Sequence, residues 1–490
     1  MYVQDSAFLA TADAIGTRIC RDALWAGERC NWIGASLAPI DGTWQTVQSS
    51  LAPDVYGGTA GIALFLARLA AASGDRVHRA TALGAIRHAR QHMSRVDSTV
   101  ALSLYSGRLG IDYATIAVAE TLDDGALIDA ALRSLDDATS LERTSHQLDV
   151  VSGLASGIPA LLSIDTRYHR PALLDLASKL GVHLVEKAIH SDAGLSWPNA
   201  ALSTTHQLTG FSHGAAGIAW ALLELHTATG DTAFVDAAMD GFRYERHWFD
   251  AGQCNWPDLR DFGAFAGGAS PASGTTYGTS WCHGAPGIGL SRLQATRLLP
   301  NDETLKHELD VALDTTLGAL RAGLATPTLS NFSLCHGLAG NAELPLIAST
   351  IARVPAYRSI VDDVGNAGIA MYERTMAAWP SGVTGGGDTP GLMLGSAGTG
   401  YFYLRLADPE GVPPIVITLA DADLRAVKGT SSANASVSPG TRVAATNDSL
   451  SRGGSGPPHG VENSNRAEAL DLHLKALHSP GSQRAPAPAP

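Results

Sequence analysis

The most regular pattern in the chain is an apolar block of helical length that follows a short loop with two glycines. One example is the loop FSHGAAG at residues 211–217, which precedes the block IAWALLEL. Loops of this type occur seven times, at residues 56–62, 105–111, 151–158, 211–217, 280–289, 334–340 and 393–400. They recur about every 45 to 70 residues, which is near the spacing of helical repeat arrays. Glycine at a helix start lets two backbones approach closely, so we expect these loops to meet.

Amphipathic blocks separate the glycine loops and predict a second helix in each repeat, as at residues 77–95 and 171–190. Runs of β-branched residues, which would indicate strands, are missing between the loops. The predicted fold class is therefore all-α, with one helical pair per repeat. A single pair cannot bury its own apolar face, so the pairs would stack as an open solenoid or close into a ring. Closure into a ring would gather the glycine loops at one end of the barrel, with the loops of the fourth, fifth and sixth repeats as neighbours.

Three segments depart from the repeat. Residues 7–26 predict an N-terminal helix. Residues 240–279 interrupt the period, and two interpretations are equally open: a lid or substrate wall, or a mobile surface loop. Beyond residue 420 serine, glycine, asparagine and proline become frequent, a composition that favours disorder. The pattern therefore predicts a helical domain at residues 1–420 and a disordered C-terminal tail at residues 421–490.

Composition and charge narrow the class of function. The chain has 490 residues, of which 45% are hydrophobic, and its formal net charge is −13. Clusters of lysine and arginine are absent, which argues against a nucleic-acid partner. No apolar run approaches the ~20 residues of a membrane span, and the N-terminus does not resemble a signal peptide. Five cysteines, an odd and sparse set, fit a reducing cytosol better than a disulfide framework, so we expect a cytoplasmic protein.

Two of the glycine loops carry a Cys-His-Gly sequence, which suggests a metal site. Cys282, Cys335 and His336 would fill three positions of a tetrahedral zinc ion, and a substrate thiol would take the fourth. A metal ion deprotonates a bound thiol, which makes a nucleophile at neutral pH. A competing interpretation is that these residues are ordinary buried cysteines and helix-capping histidines. Two such loops in one repeat array favour the metal.

Four further residues are candidates for the chemistry. His213 has Ser212 beside it instead of a cysteine, so it is a better acid/base group than ligand, although a ligand role stays open. His283 follows a candidate ligand and would be a ligand, a proton donor or a bystander. Asp149, within an apolar segment, would orient a histidine, shuttle a proton or cap a helix. Arg108 would hold a peptide carboxylate or carbonyl, or would be an exposed charge.

Several phrases in the chain resemble the lanthionine synthetase C-like family. They are LTGFSHGAAG at residues 208–217, YER at 244–246, NWPDLR at 255–260 and PGLM at 390–393, together with the two Cys-His-Gly loops. The resemblance covers about residues 10–420. These phrases are specifically similar to the C-terminal cyclase half of the class II, bifunctional lanthipeptide synthetases.

The resemblance implies an α/α toroid, which is a double α-barrel of seven inner and seven outer helices. It implies Zn²⁺ held by Cys282, Cys335 and His336, with His213 and Asp149 as acid/base groups. His283 is a further catalytic candidate, from its place beside Cys282. The implied reaction adds a peptide cysteine thiol to dehydroalanine or dehydrobutyrine, which forms a lanthionine or methyllanthionine ring. Two positions depart from the family pattern, because His283 stands where many members have tyrosine and Gly278 where some have an active-site arginine.

The chain contains no counterpart of the class II dehydratase half. The resemblance therefore implies that the partner is a precursor peptide already dehydrated by a separate dehydratase. Two alternatives keep the fold and change the function. One is an enzyme that adds a free thiol, such as glutathione, to dehydro-amino acids in proteins. The other is a non-catalytic toroid that binds peptides.

Overall fold

The computed structural model describes residues 3–40, 43–138, 147–199, 204, 206–260, 275–326, 330–352 and 354–418. The predicted C-terminal tail, residues 421–490, lies outside the described residues, and so does the glycine-rich part of the predicted insertion, residues 261–274.

The described residues form fourteen α-helices. They are α1 (Val3–Arg21), α2 (Thr59–Ser73), α3 (Arg76–His92), α4 (Arg108–Leu122), α5 (Gly125–Ala138), α6 (Leu154–Tyr168), α7 (Pro171–Lys187), α8 (Ala215–Thr229), α9 (Thr232–Trp248), α10 (Ala285–Leu298), α11 (Glu303–Ala325), α12 (Leu338–Ala352), α13 (Pro355–Gly368) and α14 (Ser396–Ala407). Each even-numbered helix begins within one of the seven glycine loops, so the repeat pattern located the helix starts to within a few residues.

The two sets of helices differ in how much of their surface is apolar. The inner helix α8 is buried on all sides over residues 215–225, which is expected of a helix that is hydrophobic all round. Its neighbour α9 buries one stripe at helical spacing, formed by Phe234, Ala237, Ala238, Gly241 and Phe242. The even-numbered helices therefore form an inner barrel and the others an outer layer.

The barrel is a closed ring. Each inner helix contacts the next, and the last one, α14, contacts the first, α2. The six outer helices α3 to α13 pack on the inner helices that precede them, and α1 packs on α14 as the seventh. The all-α toroid of seven inner and seven outer helices is thus confirmed, and the open solenoid is excluded.

Short β-hairpins are the part of the fold that the hydrophobic pattern missed. The described residues contain three antiparallel pairs: β1 (Leu24–Ala26) with β2 (Arg29–Asn31), β3 (Ile33–Ile40) with β4 (Thr43–Ser50), and β5 (Ile189–Ser191) with β6 (Gly194–Ser196). They shorten two predicted helices. Because β1 and β5 occupy their ends, the helix predicted at 7–26 runs from Val3 to Arg21, and the one predicted at 171–190 ends at Lys187.

Hydrogen bonds link the glycine loops in a circle at one end of the barrel. The backbone N–H of Tyr56 donates to the carbonyl of Tyr105, Val151 to Ser212, Ser212 to Cys282, Cys282 to Cys335, Cys335 to Met393, and Met393 to Tyr56. The second and third loops are linked by the hydroxyls of Ser103 and Ser106, which both donate to the Val151 carbonyl. As predicted, the loops of the fourth, fifth and sixth copies are direct neighbours.

The centre of the ring is filled by side chains and by the last described segment of the chain. Residues 412–417, which we call the central plug, follow α14 and turn into the barrel. The hydroxyl of Tyr105 donates to the Ile415 carbonyl at 2.8 Å, and Trp281 Nε1 donates to the Val416 carbonyl at 2.9 Å. The rings of Tyr105 and Trp281 also contact each other across the barrel, with centroids 5.6 Å apart. The plug therefore supports the glycine loops from inside the ring.

No helix in the described part of the chain combines the length and the apolar character that a bilayer span requires.

Candidate metal centre

Three of the predicted site residues meet at the loop end of the barrel. Cys282 lies in the loop before α10, and Cys335 and His336 lie in the adjacent loop before α12. The Cys282 N–H donates to the Cys335 carbonyl at 3.2 Å, which fixes one loop against the other. One ligand atom from each of Cys282, Cys335 and His336 lies within 4.8 Å of the others. Both cysteines are fully buried, whereas His336 is partly exposed, so the cluster approaches the surface on the histidine side.

Glycine makes these two loops possible. A Cβ atom at Gly340 would lie 1.8 Å from the carbonyl oxygen of Leu334, and one at Gly287 would lie 2.0 Å from that of Trp281. Gly284 adopts φ = 84°, a conformation that disfavours other residues. The first turn of α10 can therefore pack directly against the backbone of Trp281, and that of α12 against the backbone of Leu334. These are the residues that precede the candidate ligands Cys282 and Cys335.

The three residues fit a zinc ion. Zinc binds thiolate sulfur at about 2.3 Å and imidazole nitrogen at about 2.0 Å, so tetrahedral ligands lie roughly 3.5–3.8 Å apart. The cluster is within reach of that spacing, and two cysteines with one histidine leave one position open for a substrate. The alternative of helix-capping histidines does not account for His283, because the N-cap of α10 is Gly284 and the first N–H of the helix, that of Ala285, donates to the Asn255 side chain.

His336 is oriented by a backbone carbonyl. Its Nε2 lies 3.1 Å from the carbonyl oxygen of Gly382, so in the neutral ring Nε2 carries the hydrogen and Nδ1 the lone pair. Histidine ligands commonly donate their second ring N–H to a carbonyl or carboxylate, which fixes the tautomer. A Cβ atom at Gly382 would lie 2.5 Å from His336 Nε2, so glycine is required for this close contact.

The buried sulfurs need a compensating positive charge to ionise. Burial raises the pKa of Cys335 well above its ordinary value, and the adjacent Cys282 raises it further. Two thiolates this close would repel each other in a region of low dielectric constant. A divalent cation at the cluster would remove that penalty, as expected for a metal site.

His213 and Asp149 form a buried pair beside the cluster. His213 Nδ1 lies 2.7 Å from Asp149 Oδ2, and both side chains are almost fully buried. Asp149 also accepts hydrogen bonds from the backbone N–H of Ser152 and from the side chain of Asn199. The N-cap of the following helix α6 is Gly153, so Asp149 orients the histidine and does not cap the helix.

His283 faces the same region from the loop of Cys282. Its ring centroid lies 6.1 Å from that of His213, and its Nδ1 lies 3.9 Å from Asp258 Oδ1. Burial, with a further contribution from the positive charge of Arg260, lowers the pKa of His283 to about 3. The ring is therefore neutral at physiological pH.

Asp258 and Arg260 are site residues for which the sequence analysis predicted no role. They belong to the NWPDLR phrase, in the part of the predicted insertion that the structure describes. Arg260 donates to Asp258 through Nε at 2.9 Å and through Nη2 at 2.5 Å. Both side chains are buried, and Asp258 lies between the guanidinium and His283. The signals in the sequence were two opposite charges two positions apart and their place in a phrase that resembles the family.

Comparison with known proteins identifies the family. The profile of the family described as "Lanthionine synthetase C-like protein" matches residues 49–417. This match covers well over half of the chain. The protein belongs to the lanthionine synthetase C-like family.

Among the similar solved structures, nisin cyclase supports the same fold. Nisin cyclase is 19% identical, with a TM-score of 0.52 over 76% of this chain and 92% of that protein. A cellobiose 2-epimerase from Spirochaeta thermophila is 13% identical, with a TM-score of 0.43 over 84% of this chain and 99% of that one. An unsaturated glucuronyl hydrolase from Bacillus sp. GL1 is 15% identical, with a TM-score of 0.39 over 66% and 85%. The likeness to nisin cyclase, at 19% identity, concerns the toroid alone.

The structure also shows the surroundings of two positions discussed in the sequence analysis, Gly278 and Arg108. Gly278 lies next to the Cys282 loop, and its carbonyl accepts a hydrogen bond from the Asn255 side chain at 3.0 Å. The position therefore supports the loop and provides no cation. Arg108 is partly buried and donates to the carbonyl of Val96 at 2.8 Å, so it anchors the start of α4.

Proposed function

We propose that the protein is a zinc-dependent lanthipeptide cyclase. It would add the thiol of a peptide cysteine to a dehydroalanine or dehydrobutyrine in the same peptide, which forms a lanthionine or methyllanthionine ring. The observation that carries this proposal is the convergence of Cys282, Cys335 and His336 beside the His213–Asp149 pair. Membership of the family supports a cyclase-type reaction.

Cys282, Cys335 and His336 would hold the metal ion, with Gly382 fixing the ring of His336. Zinc, when bound, would supply the positive charge that converts a substrate thiol at the open position into a thiolate. The short loops and the helices behind them keep the ligand residues in place before the peptide arrives. This preorganisation reduces the entropy that the reaction must lose.

The addition itself requires a proton to move. The substrate sulfur forms a bond to the β-carbon, the double bond between the α- and β-carbons breaks, and its electron pair moves to the neighbouring carbonyl as an enolate. The α-carbon then takes a proton. His213, held in one orientation by Asp149, would accept the thiol proton and return a proton to the α-carbon, so that none is gained or lost overall.

The substrate would be a precursor peptide whose serine and threonine residues have already been dehydrated. We propose that a separate dehydratase performs this step. The cyclase would then need access for an extended peptide at the loop end of the barrel, on the side where His336 is partly exposed.

Three alanine or asparagine variants test the proposed function. In Cys282→Ala both bound zinc and ring formation should be lost, because one of three ligands is missing. In His213→Asn zinc should be retained while ring formation falls by about 100-fold or more, the usual contribution of an acid/base group. Cys254 is exposed and outside the cluster, so Cys254→Ala should match the wild type in both respects.

Metal content would be measured by mass spectrometry of the protein, and rings by alkylation of the remaining cysteines of a dehydrated peptide. Undiminished ring formation by metal-free protein would contradict the proposal. The same assay with added glutathione separates ring closure from addition of a free thiol. Glutathione adducts without rings would favour the thiol-adding enzyme instead.

A further inference from the structure

A turn precedes each inner helix, and its first residue lies five positions before the helix. In five of the seven loops this residue is serine or aspartate, and its side-chain oxygen accepts a hydrogen bond from the backbone N–H three residues later. These pairs are Asp54–Gly57, Ser103–Ser106, Asp149–Ser152, Ser280–His283 and Ser333–His336. In the fourth and seventh loops the first residue is glycine, at Gly210 and Gly391. A side chain at this position therefore supports the turn, but the turn also forms without one.

The side chain of Ser280 makes a second contact, which the equivalent Ser333 does not make. Ser280 Oγ lies 3.2 Å from the sulfur of Cys282, and both side chains are buried. Ser333 likewise lies two residues before Cys335, and each serine accepts from the N–H of the histidine three residues later at 3.4 Å. Within the described residues, no hydrogen bond joins Ser333 to the sulfur of Cys335. The contact with sulfur is therefore an addition to the shared turn and not a consequence of it.

The hydroxyl hydrogen of Ser280 points to this sulfur once the sulfur carries a negative charge. Either atom can donate while Cys282 is a thiol, but a metal-bound thiolate can only accept. A second acceptor, the carbonyl of His283, lies 3.3 Å away, but it already accepts the N–H of Ser280 at 2.9 Å. A hydrogen bond to an anion is roughly twice as strong as one between neutral groups. The hydroxyl therefore donates to the thiolate, and the N–H of His283, which donates to the same oxygen, polarises it in that direction.

This hydrogen bond bears on a side reaction that the proposed function makes possible. Cys282 would hold a thiolate next to the dehydro-amino acid of the peptide. If the Cys282 sulfur formed the bond to the β-carbon, the electron pair of the double bond would move to the neighbouring carbonyl, and the α-carbon would then take a proton from the acid/base group. The product would be a thioether between enzyme and peptide, and the metal would lose a ligand. A donated hydrogen bond withdraws electron density from a thiolate, which weakens it as a nucleophile.

We propose that Ser280 is a positioning residue that lowers the reactivity of the Cys282 sulfur. Its hydroxyl holds this sulfur by a hydrogen bond, so that the sulfur of the substrate, and not that of the ligand, adds to the β-carbon. The hydrogen bond is present in any metal-loaded form of the protein. Its protective role rests on the proposed function, because only that reaction brings a dehydro-amino acid to the site.

The test compares Ser280→Ala with Ser333→Ala. Both variants lose a hydroxyl that supports the turn, but only the first loses a contact with a sulfur. Each protein is loaded with cobalt, and the sulfur-to-cobalt charge-transfer absorption is recorded. Each is also loaded with zinc and treated with iodoacetamide, and mass spectrometry of its peptides gives the alkylation rate of each cysteine. Neither measurement depends on ring formation.

Ser280→Ala should move the charge-transfer band to longer wavelength, because a hydrogen bond no longer stabilises the sulfur lone pair. Alkylation of Cys282 should become about 10-fold faster, the effect expected from loss of one hydrogen bond to a charged group. With a dehydrated peptide, this variant should accumulate a thioether between Cys282 and the peptide. In Ser333→Ala the band position and the alkylation rate of Cys335 should match the wild type.

An unchanged band or an unchanged alkylation rate of Cys282 in Ser280→Ala, or equal changes in the two alanine variants, would overturn the proposal. If Ser280→Ala does not fold, Ser280→Gly decides, since Gly391 stands at this position in the seventh loop. A wild type that forms no rings overturns the proposed function and the protective role, while the band and the alkylation rate still test the hydrogen bond. Ring formation by the wild type, without the Cys282–peptide thioether in Ser280→Ala, overturns only the protective role.

Discussion

Asp149 illustrates how a residue acquires its role only through a distant partner. In the sequence it precedes a helix, and a cap was as reasonable as a catalytic role. In the structure its carboxylate meets His213, 64 positions later, at 2.7 Å. The contact holds Nδ1 of His213, so the opposite ring nitrogen, Nε2, is the one that would exchange protons with a substrate.

Glu245 supports His213 from the other side. Its Oε1 accepts hydrogen bonds from the N–H groups of Gly210 and Ala216, the two ends of the loop that carries His213. Burial raises the pKa of Glu245 to about 7, although Arg292 and these two N–H groups act in the opposite direction. The YER phrase of the family therefore contains a loop anchor, which its sequence alone does not reveal.

This raised pKa gives a prediction for the dependence of stability on pH. The folded protein holds the Glu245 proton up to about pH 7, whereas the ordinary pKa of the group is 4.5. The stability contributed by this residue is therefore complete below pH 4.5 and is lost as the pH rises through 7. Glutamine keeps the acceptor oxygen and cannot ionise, so Glu245→Gln should gain about 3 kcal/mol relative to wild type between pH 4.5 and pH 8.

Urea unfolding of the metal-free proteins at several pH values would measure the effect. The same substitution at the exposed Glu410 is the control, and its unfolding free energy should run parallel to that of the wild type. A constant difference between wild type and Glu245→Gln across this range would contradict the assignment.

At the scale of single elements, the glycines at the start of the inner helices are the most sensitive positions. Gly340 lies in α12, and a Cβ atom there would meet the Leu334 carbonyl at 1.8 Å. Gly340→Ala should therefore destabilise the protein by about 2–3 kcal/mol and lower its affinity for zinc, because the Cys335 loop must move.

Gly318 is the matched control, since it lies in the outer helix α11 and an added Cβ would have no neighbour within 4 Å. Gly318→Ala should stabilise the protein by about 0.5–1 kcal/mol through its higher helix propensity. Thermal unfolding and a zinc titration of both variants would test the pair. Equal effects would mean that close backbone approach does not position the metal loops.

The sequence predicted the inner helices because the same two features recur in every repeat. Each inner helix combines a glycine loop with an apolar block, so its start was located correctly. Two hairpins were missed because β1, β2, β5 and β6 have three residues each and show no alternating pattern long enough to detect. The strands β3 and β4 have eight residues each, but β4 is polar except for Trp44 and Val47 and therefore does not alternate. Cys282, Cys335 and His336 were singled out because a Cys-His-Gly sequence occurs in two of the glycine loops, whereas Arg260 could not be distinguished from a surface arginine.

At the scale of the whole molecule, the central plug joins the end of the helical domain to its functional face. Truncation after Gly411 would remove the carbonyl partners of Tyr105 and Trp281 and the apolar side chains buried with them. We expect this truncation to cost on the order of 5 kcal/mol, from burial of several apolar side chains. It should also weaken zinc binding, because Trp281 adjoins Cys282.

Truncation after Ala420 is the comparison. It removes the segment whose composition predicts disorder, so the unfolding temperature and the zinc affinity should both equal those of the full chain. A large loss of stability in this shorter deletion would show that the domain extends beyond the predicted boundary.

The toroid is completed by its first helix, α1, which packs on its last, α14. Roughly the whole domain must therefore leave the ribosome before the final contact between the two ends of the ring can form. Until then, the surfaces of α1 and α2 that pack on α14 stay uncovered, which makes the nascent chain prone to aggregation. Expression at low temperature, or with chaperones that hold unfinished chains, should increase the yield of this protein more than that of an open helical array of the same length.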